Sequence, residues 1–236
     1  MESEILYRDG SLAVCLKPPG VVSEEGGMPA LLRDQLGGEV FCVHRLDRAV
    51  GGVMVYARTK KAAASLSAAI AAGGMRKEYL AVVQGVPDEP RGELRDLLYY
   101  DAARSKSYVV TRPRRGVKEA LLDYELVDST EWEGHTLSAL RILLHTGRSH
   151  QIRVQFASRG MPLVGDGRYG SAIRLRGPAL WSETLSFSHP DGGGELRFSS
   201  PPPENFPWTV FTEKTGYPTC SGKPVKNKED KTLGLC

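Results

Sequence analysis

The stretch 41–57 brings together side chains that could perform carboxylate or acid–base chemistry. An acidic residue, Asp47, lies among His44, Arg45 and Arg48, and two glycines and a short apolar run follow it. Cationic neighbours favour the ionised form of a carboxylate, and an apolar run of this length is typical of a buried strand. The pattern predicts a carboxylate held on a turn at the edge of a sheet, although an ordinary surface ion pair would have the same local sequence.

Basic residues are concentrated in the segment 141–176 of a nearly neutral chain. The whole sequence has 31 basic and 28 acidic residues, which gives a formal net charge of +3. The segment itself contains seven arginines and a single acid, Asp166. A basic sector of this kind suits a polyanion such as nucleic acid, but a solvated face balanced by acids elsewhere would give the same count.

Composition argues against several other classes of protein. The 236 residues, 41% of them hydrophobic, are enough for one large or two small globular domains. The four cysteines form no Cys-x-x-Cys pair and have no histidine at ligand spacing, so neither a metal site nor a disulfide framework is predicted. The glycines do not match a Walker or dinucleotide-binding loop, so no nucleotide cofactor is expected.

The sequence gives no signal for export or for membrane insertion. Residues 1–10 lack the apolar core of a signal peptide, and no apolar run approaches the length of a membrane span. We therefore expect a cytoplasmic protein.

Local patterns predict the elements that would position these residues. An Asp-Gly turn at residues 9–10 joins two strand-like runs in a hairpin. Helices are predicted over 28–36, 60–72 and 150–159, with Thr59 and Ser149 as the N-caps of the last two. Further strands are predicted over 53–55, 76–85, 104–110, 120–127, 136–145, 185–189 and 195–198.

Five segments, taken in order, resemble the RluA-type pseudouridine synthases. They are Lys17-Pro18-x-Gly20; His44-Arg45-Leu46-Asp47; Lys77-x-Tyr79-x-Ala81-x-Val83-x-Gly85; Thr146-Gly147-Arg148-Ser149-His150-Gln151-Ile152-Arg153-Val154; and Pro162-Leu163-x-Gly165-Asp166-x-x-Tyr169-Gly170. The first is weak alone, whereas the second followed by the fourth is specific. The resemblance covers about residues 5–210.

The resemblance implies an α+β fold, in which a large mixed, mostly antiparallel sheet is flanked by helices and an active-site cleft crosses its middle. It also implies that residues 1–211 form a pseudouridine synthase catalytic domain. Residues 212–236 are polar and lysine-rich, so we expect them to form a disordered tail.

The resemblance further implies an isomerase that converts specific uridines of structured ribosomal or transfer RNA to pseudouridine. The base leaves the ribose at N1 and reattaches through C5. Asp47 matches the essential carboxylate, and whether it bonds to C1′, stabilises charge there or removes a ribose proton stays open. Arg153 would pair with Asp47. Tyr79 would stack on the detached uracil or relay the C5 proton, although a strand tyrosine is more commonly a core residue.

The same resemblance implies a set of RNA-binding residues. Arg45 would fill the space left when the uridine is flipped out of its helix. Arg148 and His150, at the start of a predicted helix, could bind phosphate, but His150 could equally be a cap or a core partner. His44 is expected to be structural. The implied partner is an RNA stem-loop recognised by a monomer, with neither a membrane nor a cofactor involved.

Two departures from the family pattern leave alternatives open. Residues 50–52 read Val-Gly-Gly where the family usually has Thr-Ser-Gly, and Gln155 stands where a histidine is usual. A non-catalytic RNA-binding or RNA-folding protein with the same fold would fit these changes. An unrelated hydrolase using Asp47 with a histidine would lack a recognisable serine or cysteine nucleophile motif. No S4-type RNA-binding domain precedes the first motif, so the catalytic domain is expected to find its RNA alone.

Overall fold

The computed structural model describes residues 2–211, and the predicted disordered tail at 212–236 lies outside them. The strands are β1 (Ile5–Arg8), β2 (Leu12–Lys17), β3 (Phe41–Cys42), β4 (Gly51–Ala57), β5 (Met75–Gln84), β6 (Arg91–Asp101), β7 (Lys106–Val110), β8 (Val117–Trp132), β9 (His135–Leu144), β10 (Leu180–Ser188) and β11 (Glu195–Ser199). The α-helices are α1 (Met28–Leu36), α2 (Lys60–Ala71) and α3 (Gln151–Ala157), and two 3-10 turns cover Gly167–Tyr169 and Trp208–Phe211.

All the strands belong to one 11-stranded sheet with the order β1-β2-β4-β10-β5-β9-β8-β6-β7, in which β3 also pairs with β4 and β11 with β10. Within the described residues, only the contact between β10 and β4 is parallel, and the other pairs are antiparallel. The predicted α+β fold with a large mixed, mostly antiparallel sheet is confirmed.

Several predicted elements form for the expected local reasons. In the first hairpin, Asp9 accepts backbone hydrogen bonds from Ser11 at 2.7 Å and Leu12 at 2.8 Å, which closes the turn. At the start of α2, Thr59 Oγ1 accepts a hydrogen bond from the backbone N of Ala62 at 3.1 Å, as an N-cap should. The bounds of α1 are those predicted.

Several local predictions are incomplete or wrong; for example, β3 was not predicted and β8 is longer than the predicted 120–127. Strand β6 was not predicted because its buried leucines, Leu94 and Leu98, are four residues apart and do not alternate; its pairing with β7 and β8 makes it a strand. Strand β10 begins at Leu180, earlier than predicted, through polar residues that are nevertheless buried. Ser149 does not cap α3; His150 occupies that position in a left-handed conformation (φ 54°) without a side-chain capping bond.

The helices cover opposite faces of the sheet. Along β4, Met54 and Tyr56 belong to a core cluster that includes residues of α1 and α3, whereas Val53 and Val55 belong to one that includes residues of α2. This alternation is the two-residue period of a strand buried on both faces. No helix within residues 2–211 is long and apolar enough to cross a membrane.

Candidate active site

A cleft of about 810 Å³ is lined by residues of both core clusters: Val50 and Tyr79 belong to the cluster with α1 and α3, and Met75 and the adjoining Ile70 to the cluster with α2. All of the side chains predicted from the sequence as site residues line it: Arg45, Asp47, Tyr79, Arg148, His150 and Arg153. They come from the segment before β4, from β5, and from the turn and helix after β9. The structure therefore brings together groups from positions 45 to 153, including Asp47 and Arg153, which are 106 positions apart in the chain.

The loop that carries Asp47 is fixed on both sides of that residue. Before it, the backbone of Leu46 donates to Ser23 Oγ at 3.0 Å and accepts from the same hydroxyl at 2.9 Å. After it, the carbonyl of Arg48 accepts hydrogen bonds from Gly20 N at 2.8 Å and Lys17 Nζ at 3.2 Å. The backbone is thus fixed on both sides of Asp47, which limits the positions that its carboxylate can take.

Lys17 is a fully buried lysine whose ammonium is surrounded by backbone carbonyls. It donates to the carbonyl oxygens of Val21 at 2.7 Å, Pro18 at 3.0 Å and Arg48 at 3.2 Å. Burial lowers its pKa to about 8, although the negative charge of Asp47 opposes the shift. The weak first motif therefore has a structural task, since its lysine ties the loop at 18–21 to the Asp47 loop.

Arg153 binds two carboxylates at once. Its Nη1 lies 2.8 Å from Asp47 Oδ2, which is the contact that the sequence predicted. Its Nε and Nη2 lie 2.6 and 2.8 Å from the two carboxylate oxygens of Asp166. Burial opposes the charge of this guanidinium, but the hydrogen bonds and charges of Asp166 and Asp47 outweigh it, so the pKa of Arg153 is raised and it stays cationic.

Tyr79 lies on β5 at the floor of the same cleft and is only 5% exposed. Burial, reinforced by the negative charge of Asp47, raises the pKa of its phenol above the usual value. The hydroxyl is therefore protonated at neutral pH and can donate a hydrogen bond beside the carboxylate. The three side chains that the sequence singled out for catalysis, Asp47, Tyr79 and Arg153, therefore line the same cleft.

His150 lies beside Asp47. Its Nε2 is 3.8 Å from Asp47 Oδ2, and its Nδ1 is 3.0 Å from the hydroxyl of Tyr169. Burial is the largest influence on the imidazole and lowers its pKa, which favours the neutral form. Tyr169 itself also accepts a hydrogen bond from the backbone N of Ser107 at 2.8 Å. The fifth sequence motif contains Tyr169, which was given no role, and its place in that motif was the available signal.

The two predicted RNA-binding arginines line the cleft, and each also contacts another group of the protein. Arg45 is largely exposed and forms a 2.8 Å ion pair with Glu24. Arg148 donates from Nε to the carbonyl of Glu119 at 2.8 Å, and its backbone N donates to Gln151 Oε1 at 3.0 Å. The Arg148 backbone N–H is thus already satisfied, so any phosphate contact of this residue would come from its side chain.

His44 has the structural environment that the sequence predicted. Its Nε2 accepts a hydrogen bond from the backbone N of Val55 at 3.1 Å, and the side chain is buried. Burial, assisted by the nearby charge of Lys77, lowers its pKa to about 3. A neutral acceptor is required here because a protonated ring would have no lone pair for Val55.

The unusual Val-Gly-Gly segment is explained by close packing. Val50 is buried in the core beside the Asp47 loop. A Cβ on Gly51 would lie 2.5 Å from Trp181 Cζ3 and 2.9 Å from Pro19 Cδ, so the indole occupies the space that a serine side chain would need. Gly52 has φ +123°, and a Cβ there would meet backbone atoms of Ser182. Apolar packing of Val50 and Trp181 thus takes the place of the threonine and serine hydroxyls that are usual in the family.

The charge balance of the cleft favours an anionic ligand. Its two carboxylates, Glu24 and Asp47, are each paired with an arginine. The remaining charged side chains on its wall are cations, namely Arg48, Lys77 and Arg148. In residues 2–211, no group of three or more histidine, cysteine or acidic side chains is arranged to hold a metal ion.

The family model described as RNA pseudouridylate synthase matches residues 11–158. The ribosomal large subunit pseudouridine synthase D of Xanthomonas campestris pv. campestris is 36% identical over 227 residues, which cover 85% of this chain and 66% of that protein. The dual-specificity RNA pseudouridine synthase RluA of Escherichia coli is 33% identical over 213 residues, which cover 84% of this chain and 92% of that protein.

The fold is also similar to solved structures. Human RNA pseudouridylate synthase domain containing 1 matches with a TM-score of 0.75 at 23% identity, over 86% of this chain and 84% of that one. At this identity the likeness shows the fold alone. The chain spans about two thirds of the length of the Xanthomonas relative (66%) and nearly all of the Escherichia coli one (92%).

Proposed function

The chain belongs to the RNA pseudouridylate synthase family, whose members are isomerases acting on uridines in RNA, and we propose that it converts specific uridines of structured ribosomal or transfer RNA to pseudouridine. Asp47 is the essential carboxylate, Arg153 its partner and Tyr79 the group beside the base. The proposal depends mainly on one observation, the 2.8 Å ion pair between Asp47 and Arg153 in a cleft that Tyr79 also lines.

Asp47 acts at the ribose in this proposal. Breaking the N1–C1′ bond develops positive charge on the sugar, and a fixed carboxylate beside C1′ stabilises that charge. Arg153 keeps the carboxylate ionised and oriented, because a guanidinium remains charged at any working pH. The buried loop contacts on both sides of Asp47 mean that little reorganisation is needed during the reaction.

Tyr79 acts on the detached base. Its ring forms a wall against which the uracil can turn. Once the C5–C1′ bond has formed, the C5 proton passes to the hydroxyl oxygen as the hydroxyl's own proton passes to water in the open cleft, and N1, which left the ribose with the bonding electron pair, takes up a proton from water. Tyr79→Phe keeps the ring and removes the relay, so it should lower the rate by roughly 10²-fold or more with little loss of stability. Tyr79→Leu removes both functions and should be slower still.

The proposal also covers the surroundings of the reaction. Arg45 fills the space that the flipped uridine leaves in its helix. Arg148 and His150 face the flanking backbone of the RNA stem-loop. The protein that binds this RNA is a cytoplasmic monomer. Extruding a base costs a few kcal/mol, part of which an inserted side chain offsets. The name of the Xanthomonas relative supports ribosomal RNA as one substrate class.

The direct test maps pseudouridine in RNA from a host lacking this protein after incubation with purified variants. Wild type should restore particular pseudouridines, and Asp47→Asn should reduce their formation by at least about 10²-fold. Asp34→Asn, at an exposed position on α1 away from the cleft, should match wild type. Equal product from Asp47→Asn would remove the role of that residue, and RNA binding without any product from wild type would favour the non-catalytic alternative.

A further inference from the structure

Lys77 is a cation of the cleft to which neither the sequence motifs nor the comparisons give a task. It is on β5 two residues before Tyr79, and side chains two apart on a strand point to the same face. Met75, Lys77 and Tyr79 accordingly all line the cleft. Lys77 is thus the neighbour of the proposed catalytic Tyr79 among the side chains of β5 that face the cleft.

The ammonium of Lys77 has no partner within residues 2–211. Its contacts include no hydrogen bond and no ion pair, in contrast to Lys17, which is satisfied by three carbonyls. Both carboxylates of the cleft, Glu24 and Asp47, are already paired with arginines. Desolvation lowers the pKa of Lys77, with no neighbouring anion to offset it. A partly buried, unpaired cation costs free energy that a bound anion would recover.

The opposite wall of the cleft leaves room next to this ammonium. A Cβ built on Gly147 would have Lys77 Nζ as its nearest neighbour, at 3.9 Å. Gly147 has no positive φ, so the backbone does not require glycine there. The next residue, Arg148, lines the same cleft and carries a second cationic side chain. An anion entering between β5 and this turn would meet both cations.

We propose that Lys77 binds a backbone phosphate of the substrate RNA, on a nucleotide adjacent to the one whose base lies against Tyr79. The proposal deepens the function proposed above and rests on it for the identity of the ligand. The charge of Lys77 positions the strand and does not take part in bond making. Its loss should therefore weaken binding and reduce the salt dependence of binding, because one phosphate contact fewer releases one condensed counterion fewer.

The test measures affinity for a short RNA hairpin with a uridine-containing loop over a series of salt concentrations, in an Asp47→Asn background that prevents turnover. Lys77→Met should weaken binding about tenfold, the loss expected for one charge-assisted hydrogen bond. It should also reduce the slope of log K against log salt by roughly 0.7 to 1. Lys77→Arg, which keeps the charge, should retain most of the affinity and the slope.

Lys60→Met is the matched control, because Lys60 is an exposed lysine at the start of α2 and does not line the cleft. It should leave both quantities unchanged. An unaltered affinity and slope for Lys77→Met would overturn the proposal, and so would a loss of turnover with normal binding in the otherwise wild-type protein. Thermal unfolding of each variant identifies any loss that comes from misfolding.

Amine-selective acylation of the wild-type protein supplies a measurement that needs no variant. The hairpin should protect Lys77 from the reagent and leave Lys60 reactive, and equal reactivity of Lys77 with and without RNA would contradict the phosphate contact. Neither binding nor protection requires turnover. A protein that binds and is protected but forms no pseudouridine would therefore refute the proposed function while retaining the Lys77 site.

Discussion

Arg153 and Asp166 form a two-point ion pair whose contacts are 2.6 and 2.8 Å, and Asp166 is only 2% exposed. The pair uses Nε and Nη2, which leaves Nη1 to reach Asp47 at 2.8 Å. Two parallel bonds fix the plane of a guanidinium as well as its position. Asp166 therefore acts as a positioning residue that aims Arg153 at the proposed catalytic carboxylate.

Asp166→Asn should destabilise the protein and slow the reaction together. Breaking a buried ion pair by changing one partner costs up to about 3–5 kcal/mol, and here Arg153 would keep only its single contact with Asp47. Chemical denaturation measures the stability, and pseudouridine formation under folded conditions measures the rate. Asp166→Glu, which restores the charge with a longer side chain, should recover more stability than rate, because the guanidinium plane is displaced.

Glu25→Gln is the control for that experiment. Glu25 pairs with Arg33 on the surface and, unlike its neighbour Glu24, does not line the cleft. Exposed ion pairs contribute little. Its stability and its rate should match those of wild type. A similarly small effect for Asp166→Asn would show that Arg153 is held in place by other contacts.

Lys17→Met should loosen the Asp47 loop. The substitution fits the length of the buried side chain but leaves the carbonyls of Pro18 and Val21 without this donor, while the Arg48 carbonyl keeps only its bond from Gly20 N. An unsatisfied buried acceptor costs about 1–3 kcal/mol, so the free energy of unfolding should fall by at least that amount. Hydrogen exchange should rise at the backbone N–H of Gly20, which donates to the Arg48 carbonyl. Unchanged exchange there would mean that Lys17 does not restrain the loop.

Gly51→Ser, which restores the residue usual in the family, should destabilise this chain. The added Cβ would lie 2.5 Å from Trp181 Cζ3, and overpacking of a filled core costs about 1–3 kcal/mol. Trp181→Phe removes part of the clashing ring. The double variant should therefore be more stable than the sum of the two single changes predicts, a coupling that a double-mutant cycle measures. Gly10→Ser, with no atom within 4 Å of its Cβ, should be nearly neutral.

His44 should make stability fall in mild acid. Its pKa in the folded protein, about 3, lies below the value of about 6.5 for an unfolded chain, so protonation favours unfolding. The contribution is fully present above pH 6.5 and is lost as the pH falls toward 3, at up to about 1.4 kcal/mol per pH unit. Unfolding of wild type and His44→Gln between pH 7 and 5 should show a smaller slope in the variant. Parallel slopes would exclude His44 as the source.

The elements with strong local signals were predicted correctly from the sequence. The Asp-Gly hairpin turn and the Thr59 cap depend on atoms within about three residues of one another, and both form as predicted. Strand β6 has no such signal, because its two leucines are at helical spacing and its strand character depends on β7 and β8. The capping prediction for Ser149 failed because His150 in the left-handed region begins the helix instead.

By itself the sequence determined the types and order of the motifs, and through the family resemblance it predicted that Asp47 meets Arg153. Only the tertiary structure placed Asp166 behind that arginine, His150 beside the carboxylate and Trp181 in the space above Gly51. The reason is physical: local rules act over a few residues, whereas these contacts depend on which strands pair and in which register. That choice is made by the free energy of the whole core, and no short segment contains it.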